Sequence, residues 1–279
     1  MTLAVLGDYT QNGAMTTFGS AAGAPAVLVF DVNETLLDIE SLGPHFERIF
    51  GDANVLRTWF GELVTYSMTL TLSGYYVDFF TLGRAVLHMV ATVRDVALTE
   101  DDVRSIAEGM RTMPAHPDVA PGLAKLRADG YRLVTLTNSP HQPNVSSPLD
   151  DAGLGDYFEH QFTVDTLGVF KPSIHLYRRV AAQLGVDATQ CMMVAAHTWD
   201  TIGAQGAGMR SALITRPGNA PLVTAGVPQP NLLARTLTEL ANLLQSHFAD
   251  GRKARHRVPE SCDGHPAPRT RSIAAQALE

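Results

Sequence analysis

The chain has 279 residues, of which 45% are apolar and 18% charged, and a formal net charge of −7 at pH 7. This length allows one large domain or a core with a second module, and the composition excludes collagen, coiled-coil and globally disordered proteins. The apolar stretches are shorter than the ~20 residues that span a bilayer, and the acidic balance disfavours nucleic acid as the main partner. Two cysteines, Cys191 and Cys262, cannot form a disulfide framework, so we expect a cytoplasmic protein.

The two ends differ in composition from the middle of the chain. Residues 1–25 are rich in Gly, Ala and Thr and lack a basic segment, which predicts a flexible N-terminal extension rather than a signal peptide. Met15 is an alternative start. Residues 249–279 carry many charged and few large apolar side chains, which predicts a disordered tail; the alternative is a basic interaction segment at residues 252–257.

The middle of the chain alternates strand and helix patterns. Short apolar runs without alternation, typical of parallel strands buried on both faces, occur at residues 26–30, 131–136, 191–195 and 211–215. Helical patterns lie between them. Residues 118–130 begin at a candidate N-cap, Asp118, and end at Gly130, and residues 173–185 carry an apolar stripe. This alternation predicts a doubly wound α/β sheet.

Residues 41–115 interrupt the alternation. They lack a convincing buried strand and contain many aromatic side chains in helical patterns, so we expect a helical module inserted into the α/β core. The core would then comprise residues 26–40 and 116–248. An insertion at this point would cover the carboxyl ends of the strands, where open α/β sheets bind ligands.

Polar side chains follow the predicted strands. Asp31 leaves the first strand within FDVNETLLD (30–38), and Thr137 and Asn138 leave the second within LTNS (136–139). Lys171 precedes Pro172 and a helix, and Asp200 ends HTWD (197–200). Each residue alone is also typical of a turn, a helix cap or a solvated surface. Together they predict an ionic site at one edge of the sheet.

The order and spacing of these segments resemble the haloacid dehalogenase (HAD) superfamily over residues 26–215. The segments FDVNETLLD, LTNS, KPSIHLY (171–177) and HTWD are most similar to those of the type II 2-haloacid dehalogenases. The resemblance implies a HAD-like, Rossmann-like doubly wound parallel sheet, with residues 41–115 as the helical cap. It also implies hydrolysis of 2-haloalkanoic acids of the haloacetate and 2-chloropropionate type to 2-hydroxy acids and halide.

Two positions favour dehalogenation over phosphate transfer. The resemblance implies that phosphatases of this superfamily have a second Asp, two residues after the nucleophile, which acts as a general acid. This chain has Asn33 at that position. They also carry an acid at the position of Ala196. Halide is a good leaving group that needs no proton, so a dehalogenase tolerates both changes.

The resemblance also implies residue roles. Asp31 would form a covalent ester with the substrate, Thr35 would orient it, and Lys171 would pair with it and with the substrate carboxylate. Asp200 would position or activate the hydrolytic water. The implied substrate contacts are Val32, Asn33, Thr137, Asn138 and Tyr177, of which Thr137 stands where the family has a carboxylate-binding Ser.

Three departures from the family pattern affect the halide and water sites. The usual cap Arg falls near Phe60, with Arg57 as the nearest arginine. Trp59, Phe60 or Tyr66 are therefore the candidates to contact the halide, and the alternative is that the halide cradle is absent. A common Asn is replaced by His197, which could bind halide, donate to the water network or act as a base. Ala195 replaces a hydroxyl residue. These changes leave the reaction class in place but affect the substrate range.

We expect neither a cofactor nor a metal site, because His45, His88, His116, His141 and His160 lack metal-ligand spacing. A homodimer is plausible from the aromatic-rich insertion and from the family. The alternatives to a dehalogenase are a Mg²⁺-dependent phosphatase of the same fold, another hydrolase that uses Asp31 and His197, and a binding protein without catalysis.

Overall fold

A computed structural model describes residues 23–141 and 145–255. Its centre is a parallel sheet of six strands in the order β3-β2-β1-β4-β5-β6. The strands are β1 (Val27–Phe30), β2 (Arg132–Thr137), β3 (His160–Thr163), β4 (Cys191–Ala195), β5 (Arg210–Ile214) and β6 (Leu232–Ala234). The predicted doubly wound α/β fold is confirmed, since every strand pair is parallel and helices connect all consecutive strands except β5 and β6.

Nine α-helices accompany the sheet within the described ranges. They are α1 (Gly43–Phe50), α2 (Val55–Ser73), α3 (Phe79–Val93), α4 (Glu100–Arg111), α5 (Val119–Ala128), α6 (Pro148–Asp151), α7 (Ile174–Gln183), α8 (Thr198–Gly206) and α9 (Leu237–Arg255). No helix of the described residues is long and apolar enough to cross a membrane.

The helices between β1 and α5 form the inserted helical region. The sequence sets their ends: Asp78 accepts bonds from the first backbone N–H groups of α3, and Thr99 and Asp102 form a capping box at α4. Arg57 of α2 and Arg111 of α4 bind core residues, and two further hydrogen bonds lie close to Lys171. Tyr76 donates to Asp165 at 2.6 Å, and the backbone N–H of Phe170 donates to Thr71 at 2.9 Å. The second bond therefore holds the residue directly before Lys171. The boundaries at 41 and 115 stay a prediction.

Several elements differ from the sequence prediction. The strands β3 and β6 and the helix α9 were not predicted, because β3 is a short, partly exposed edge strand and β6 has only three residues. Asp118 does not cap α5: its carboxylate binds Arg216 at 2.6 Å and the backbone N–H of Leu237 at 2.7 Å. Gly130 does follow α5 in a left-handed conformation, with φ of 84°.

The predicted terminal segments lie mainly outside the described residues. This applies to Met15, to most of the N-terminal extension and to Cys262. The expected tail is corrected at its start, because α9 continues past residue 249 to Arg255. Cys191 is buried in β4, and this burial raises the pKa of its thiol to about 11, which makes a reactive thiolate unfavourable.

Candidate active site

Asp31 lies at the carboxyl end of the central strand. Its neighbour Phe30 is in register with Thr135 of β2 on one side and with Val194 of β4 on the other. The backbone N–H of Asp31 still donates to the carbonyl of Val194 at 3.0 Å, so the sheet itself fixes the residue. This is the edge at which open parallel sheets bind their ligands.

Lys171 joins two carboxylates in the interior. Its Nζ lies 2.7 Å from Asp31 Oδ1 and 2.6 Å from Asp200 Oδ2, and it donates to the carbonyl of Leu136 at 2.9 Å. These contacts use all three ammonium donors, and the side chain is only 1% exposed. The tertiary structure thus brings together the strand-end residues of three separate segments.

Tyr177 and Asp200 form the most deeply buried part of this cluster. The Tyr177 hydroxyl donates to Asp200 Oδ1 at 2.5 Å, and both side chains are fully buried. Burial raises the pKa of Asp200, with the like charge of Asp31 adding to the effect and the bonds from Lys171 and Tyr177 opposing it. Asp200 is therefore a stronger base than an exposed aspartate.

Two groups converge on the second oxygen of Asp31. The Thr35 hydroxyl donates to Oδ2 at 2.7 Å and itself accepts the backbone N–H of Ala196 at 2.8 Å. His197 Nδ1 lies 3.1 Å from the same oxygen. Burial disfavours the charge on Asp31, but Lys171 and His197 outweigh it and hold the pKa of this carboxyl well below its ordinary value. Asp31 is an ionised carboxylate.

Glu34 is a member of the site that the sequence analysis missed. Its Oε2 lies 2.5 Å from His197 Nε2, and its other oxygen binds Arg57 and Asn219. The backbone of Glu34 has φ of 64°, a left-handed conformation that is uncommon for a side chain of this kind. The residue stands within FDVNETLLD, but neither its conformation nor its partner on another strand end is visible in the sequence.

His197 lies between two carboxylates. Burial disfavours its charged form, but the bonds to Asp31 and Glu34 raise the pKa of His197 to about 9. Phe60 and Trp199 contact the ring, at 5.8 Å and 4.8 Å between centroids, and exclude water from its faces. The imidazole is therefore held as a cation at neutral pH.

The residues that were predicted to contact the substrate lie in two places, one against the backbone of Lys171 and the other at a cavity. Asn138 Oδ1 accepts the backbone N–H of Lys171 at 3.0 Å, so this amide helps to fix the lysine. Val32, Asn33 and Thr137 line a cavity of about 280 Å³ beside the loop that follows Asp31, and Phe80 and Arg84 of α3 line the same cavity. The Thr137 hydroxyl accepts the N–H of Ser139 at 3.1 Å.

The side chains of the helical region that were predicted to contact the halide lie in different surroundings in the structure. Phe60 contacts His197, whereas Trp59 packs against Phe46 and donates its indole N–H to the carbonyl of Gly83 at 2.9 Å. Tyr66 is 38% exposed. Arg57 does not face Asp31 but binds Glu34 and Glu40. Phe60 therefore adjoins the site through His197 and Arg57 through Glu34, whereas Trp59 packs within the helical region.

The described ranges contain no group of three or more His, Cys, Asp or Glu side chains that could hold a metal ion. The three carboxylates Asp31, Asp200 and Glu34 lie against three cationic side chains, Lys171, His197 and Arg57, so the charges of the cluster balance as a whole. What the arrangement offers chemically is an ionised nucleophile, a buried base and three donors around them.

Comparisons with known proteins identify the family of the chain. The family model of the haloacid dehalogenase-like hydrolases matches residues 25–208. The chain is 25% identical over 194 residues to (S)-2-haloacid dehalogenase H-109 of Pseudomonas putida, covering 68% of this chain and 86% of that protein. It is 28% identical over 218 residues to (S)-2-haloacid dehalogenase 1 of Pseudomonas sp. (strain CBS-3), covering 77% and 95%.

The chain is also similar in fold to a solved structure. The L-2-haloacid dehalogenase of Xanthobacter autotrophicus superposes with a TM-score of 0.71 at 25% identity, covering 79% of this chain and 98% of that one. The match of the family model includes β1 with Asp31, the helical region, β2, Lys171 and β4 with Asp200. The superfamily resemblance read from the sequence is therefore confirmed. The chain belongs to the haloacid dehalogenase-like hydrolases.

Proposed function

We propose that this hydrolase is a metal-independent 2-haloacid dehalogenase that acts on small 2-haloalkanoic acids through an ester of Asp31. The observation that carries the proposal is the ionised Asp31 carboxylate, which Lys171, Thr35 and His197 hold at the sheet edge. The positions that supply acids in the phosphatases are Asn33 and Ala196. Similarity to (S)-2-haloacid dehalogenases over most of the chain supports the same reaction.

In the first step, an Asp31 oxygen attacks C2 of the haloacid from the side opposite the halogen. The new C–O bond forms as the carbon–halogen bond breaks, and halide leaves with the bonding electron pair, inverting the configuration at C2. Lys171 pairs with Asp31, and because its three donors are already bound in the cluster it acts on the substrate carboxylate through its charge and not through a direct hydrogen bond. The cavity that Val32, Asn33 and Thr137 line holds the rest of the substrate.

In the second step, water attacks the carbonyl carbon of the Asp31 ester and loses a proton to Asp200. The bond between the carbonyl carbon and the substrate oxygen breaks, and that oxygen takes up a proton to become the hydroxyl of a 2-hydroxy acid. Asp31 is restored as a carboxylate, and one proton is released for each halide. The raised pKa of Asp200 suits this role.

Halide release from 2-chloropropionate and haloacetates in EDTA tests the proposal. We expect turnover by the wild-type protein and none by Asp31→Asn, with the exposed Asp156→Asn as the matched control. In a single turnover in H₂¹⁸O with enzyme in excess, the label should enter Asp31 and the product should carry ordinary oxygen. A folded protein that releases no halide from any haloacid contradicts the proposal, and Mg²⁺-dependent phosphate release would favour a phosphatase. The homodimer and the cytoplasmic location stay predictions.

A further inference from the structure

We infer that Glu34 is a positioning residue that keeps His197 as an imidazolium, and that His197 and Thr35 together form the oxyanion site for hydrolysis of the Asp31 ester. This inference rests on the proposed function and assigns a device to its second step. Glu34 belongs to none of the roles that the sequence analysis carried over from the family.

The first support is the acceptor chemistry around the ring. An ionised carboxylate has acceptors and no donor, so both ring nitrogens must be protonated to bond with Asp31 Oδ2 at 3.1 Å and Glu34 Oε2 at 2.5 Å. A neutral imidazole would leave one of these short contacts without a proton. The geometry thus selects the cation.

The second support is the way in which Glu34 is itself held. Arg57 and Asn219 occupy Oε1, which leaves Oε2 for the ring, and Arg57 also binds Glu40 and the carbonyl of Pro217. Burial disfavours the charge on Glu34, but His197 and Arg57 lower its pKa below the ordinary value. Glu34 therefore stays an anion even where it is 3% exposed.

The third support is backbone conformation. Glu34 adopts φ of 64°, which a glycine would adopt without strain. Non-glycine residues in this region persist where the surroundings over-determine them, and they cluster at functional sites. A carboxylate at this position has a use that offsets the strain, namely the contact with His197.

The consequence appears when Asp31 is esterified. Oδ1 is bound by Lys171, and Oδ2 faces Thr35 and His197. If Oδ1 forms the ester, Oδ2 remains the carbonyl oxygen and becomes an oxyanion when water attacks. Asp31 is then neutral, and His197 has lost one of its two anionic partners. Glu34 is the partner that still holds the proton on the ring while the negative charge develops on Oδ2.

Charged groups around His197 set the field in which it titrates. They are Asp31 and Glu34 after β1, Arg57 of α2, Lys171 before α7, Asp200 of α8, and Arg216, which binds the carbonyl of Thr35. The titratable His116 binds the carbonyl of Glu34, and burial and Arg216 lower the pKa of this histidine. The cations among them oppose a proton on His197, so removing the Glu34 charge should release it. Phe60 and Trp199 contribute uncharged surface.

The test separates the two chemical steps and uses two substitutions of Glu34. With enzyme in excess over 2-chloropropionate, halide release reports ester formation and 2-hydroxy acid release reports hydrolysis. We expect Glu34→Gln to keep the halide burst, to accumulate the ester by protein mass, and to move the alkaline limb of hydrolysis to lower pH by about one unit or more. Glu34→Gly should behave in the same way although it relieves the strained φ.

A readout without substrate completes the test. In ¹⁵N spectra of the resting protein, the His197 titration should shift to lower pH by about one unit or more in both Glu34 variants. In His197→Asn, whose amide donates at every pH, hydrolysis should lose the alkaline limb.

Three results would overturn the inference. They are an unchanged limb in Glu34→Gln, normal hydrolysis by Glu34→Gly, or a rate that rises as His197 loses its proton, which would make the ring a base. A wild-type protein with no halide burst would overturn the proposed function as well, so the two failures are distinguishable.

Discussion

The ammonium of Lys171 holds Asp31 and Asp200 together in a space from which water is excluded. Two buried carboxylates that contact the same ammonium are close enough to repel each other. An ionised group in a site without water is also costly unless it has a partner of opposite charge. Burial disfavours the charge on Lys171 as well, but the attraction to Asp200 and Asp31 is stronger and raises the pKa of the amine. We therefore expect Lys171 to support both the charge state of the nucleophile and the stability of the fold.

Replacing this lysine should therefore affect two properties at once. We expect Lys171→Met to abolish halide release and to lower the free energy of unfolding by about 3–5 kcal/mol, the cost of leaving a buried charge unpaired. Urea denaturation measures the second effect. The matched control is Lys125→Met, which removes an exposed amine that binds Asn242 on α9. A variant with wild-type stability would show that the two carboxylates do not depend on Lys171.

At the scale of elements, α8 sets the position of the Lys171 loop by direct contact. Gly203 of α8 faces Pro172 so closely that an added Cβ would lie 2.5 Å from Pro172 Cβ and 2.9 Å from Tyr177 Cε2. Contacts below 3.0 Å force a shift of one partner, and here one partner is the residue next to Lys171. The absence of a side chain at Gly203 lets α8 lie close enough to Pro172 for Asp200 to reach the Lys171 ammonium.

A pair of alanine substitutions in the same helix tests this packing. Gly203→Ala should displace Pro172 and reduce the rate of ester formation, with a loss of about 1–3 kcal/mol in stability from overpacking. Gly206→Ala is the control, because its Cβ would meet only Ile174 at 3.4 Å. The measurement is halide release in a single turnover together with thermal unfolding. Equal effects of both substitutions would contradict a specific contact with Pro172.

At the scale of the whole molecule, the buried charges make stability depend on pH in a defined direction. The pKa of His197 is about 9 in the folded protein, above the ordinary 6.5 of the unfolded chain. Its contribution is therefore complete below pH 6.5 and is lost as pH rises through 9. The lowered pKa of Asp31 acts in the opposite direction: its contribution is present above the ordinary value of 3.8 and is lost as pH falls below it.

The alkaline loss can be measured on the folded chain. We expect the free energy of unfolding to fall by about 3 kcal/mol between pH 6 and pH 9.5, and this slope to flatten in His197→Asn. Urea midpoints at several pH values give the result, with the exposed His88→Asn as the control. A slope that is identical in the two variants would assign the effect to other groups.

Much of the fold could be predicted because each buried strand is visible in the sequence as a short contiguous run of apolar residues. The runs at β1, β2, β4 and β5 are mostly apolar without alternation, and such runs predict a parallel sheet whose carboxyl ends meet at one edge. The edge strand β3 and the short β6 were missed, because pairing with a neighbour, rather than their own composition, makes them strands.

For the site, the sequence determined the superfamily and the side chains at the strand ends, because Asp31, Lys171 and Asp200 belong to local motifs. Tertiary structure decided which groups meet. The contact of Glu34 with His197 and Arg57 joins three elements that are far apart in the chain, and it depends on a left-handed backbone that the sequence does not reveal. The tertiary structure also decided the charge states of the site residues, because these depend on burial and on partners that only the folded chain supplies.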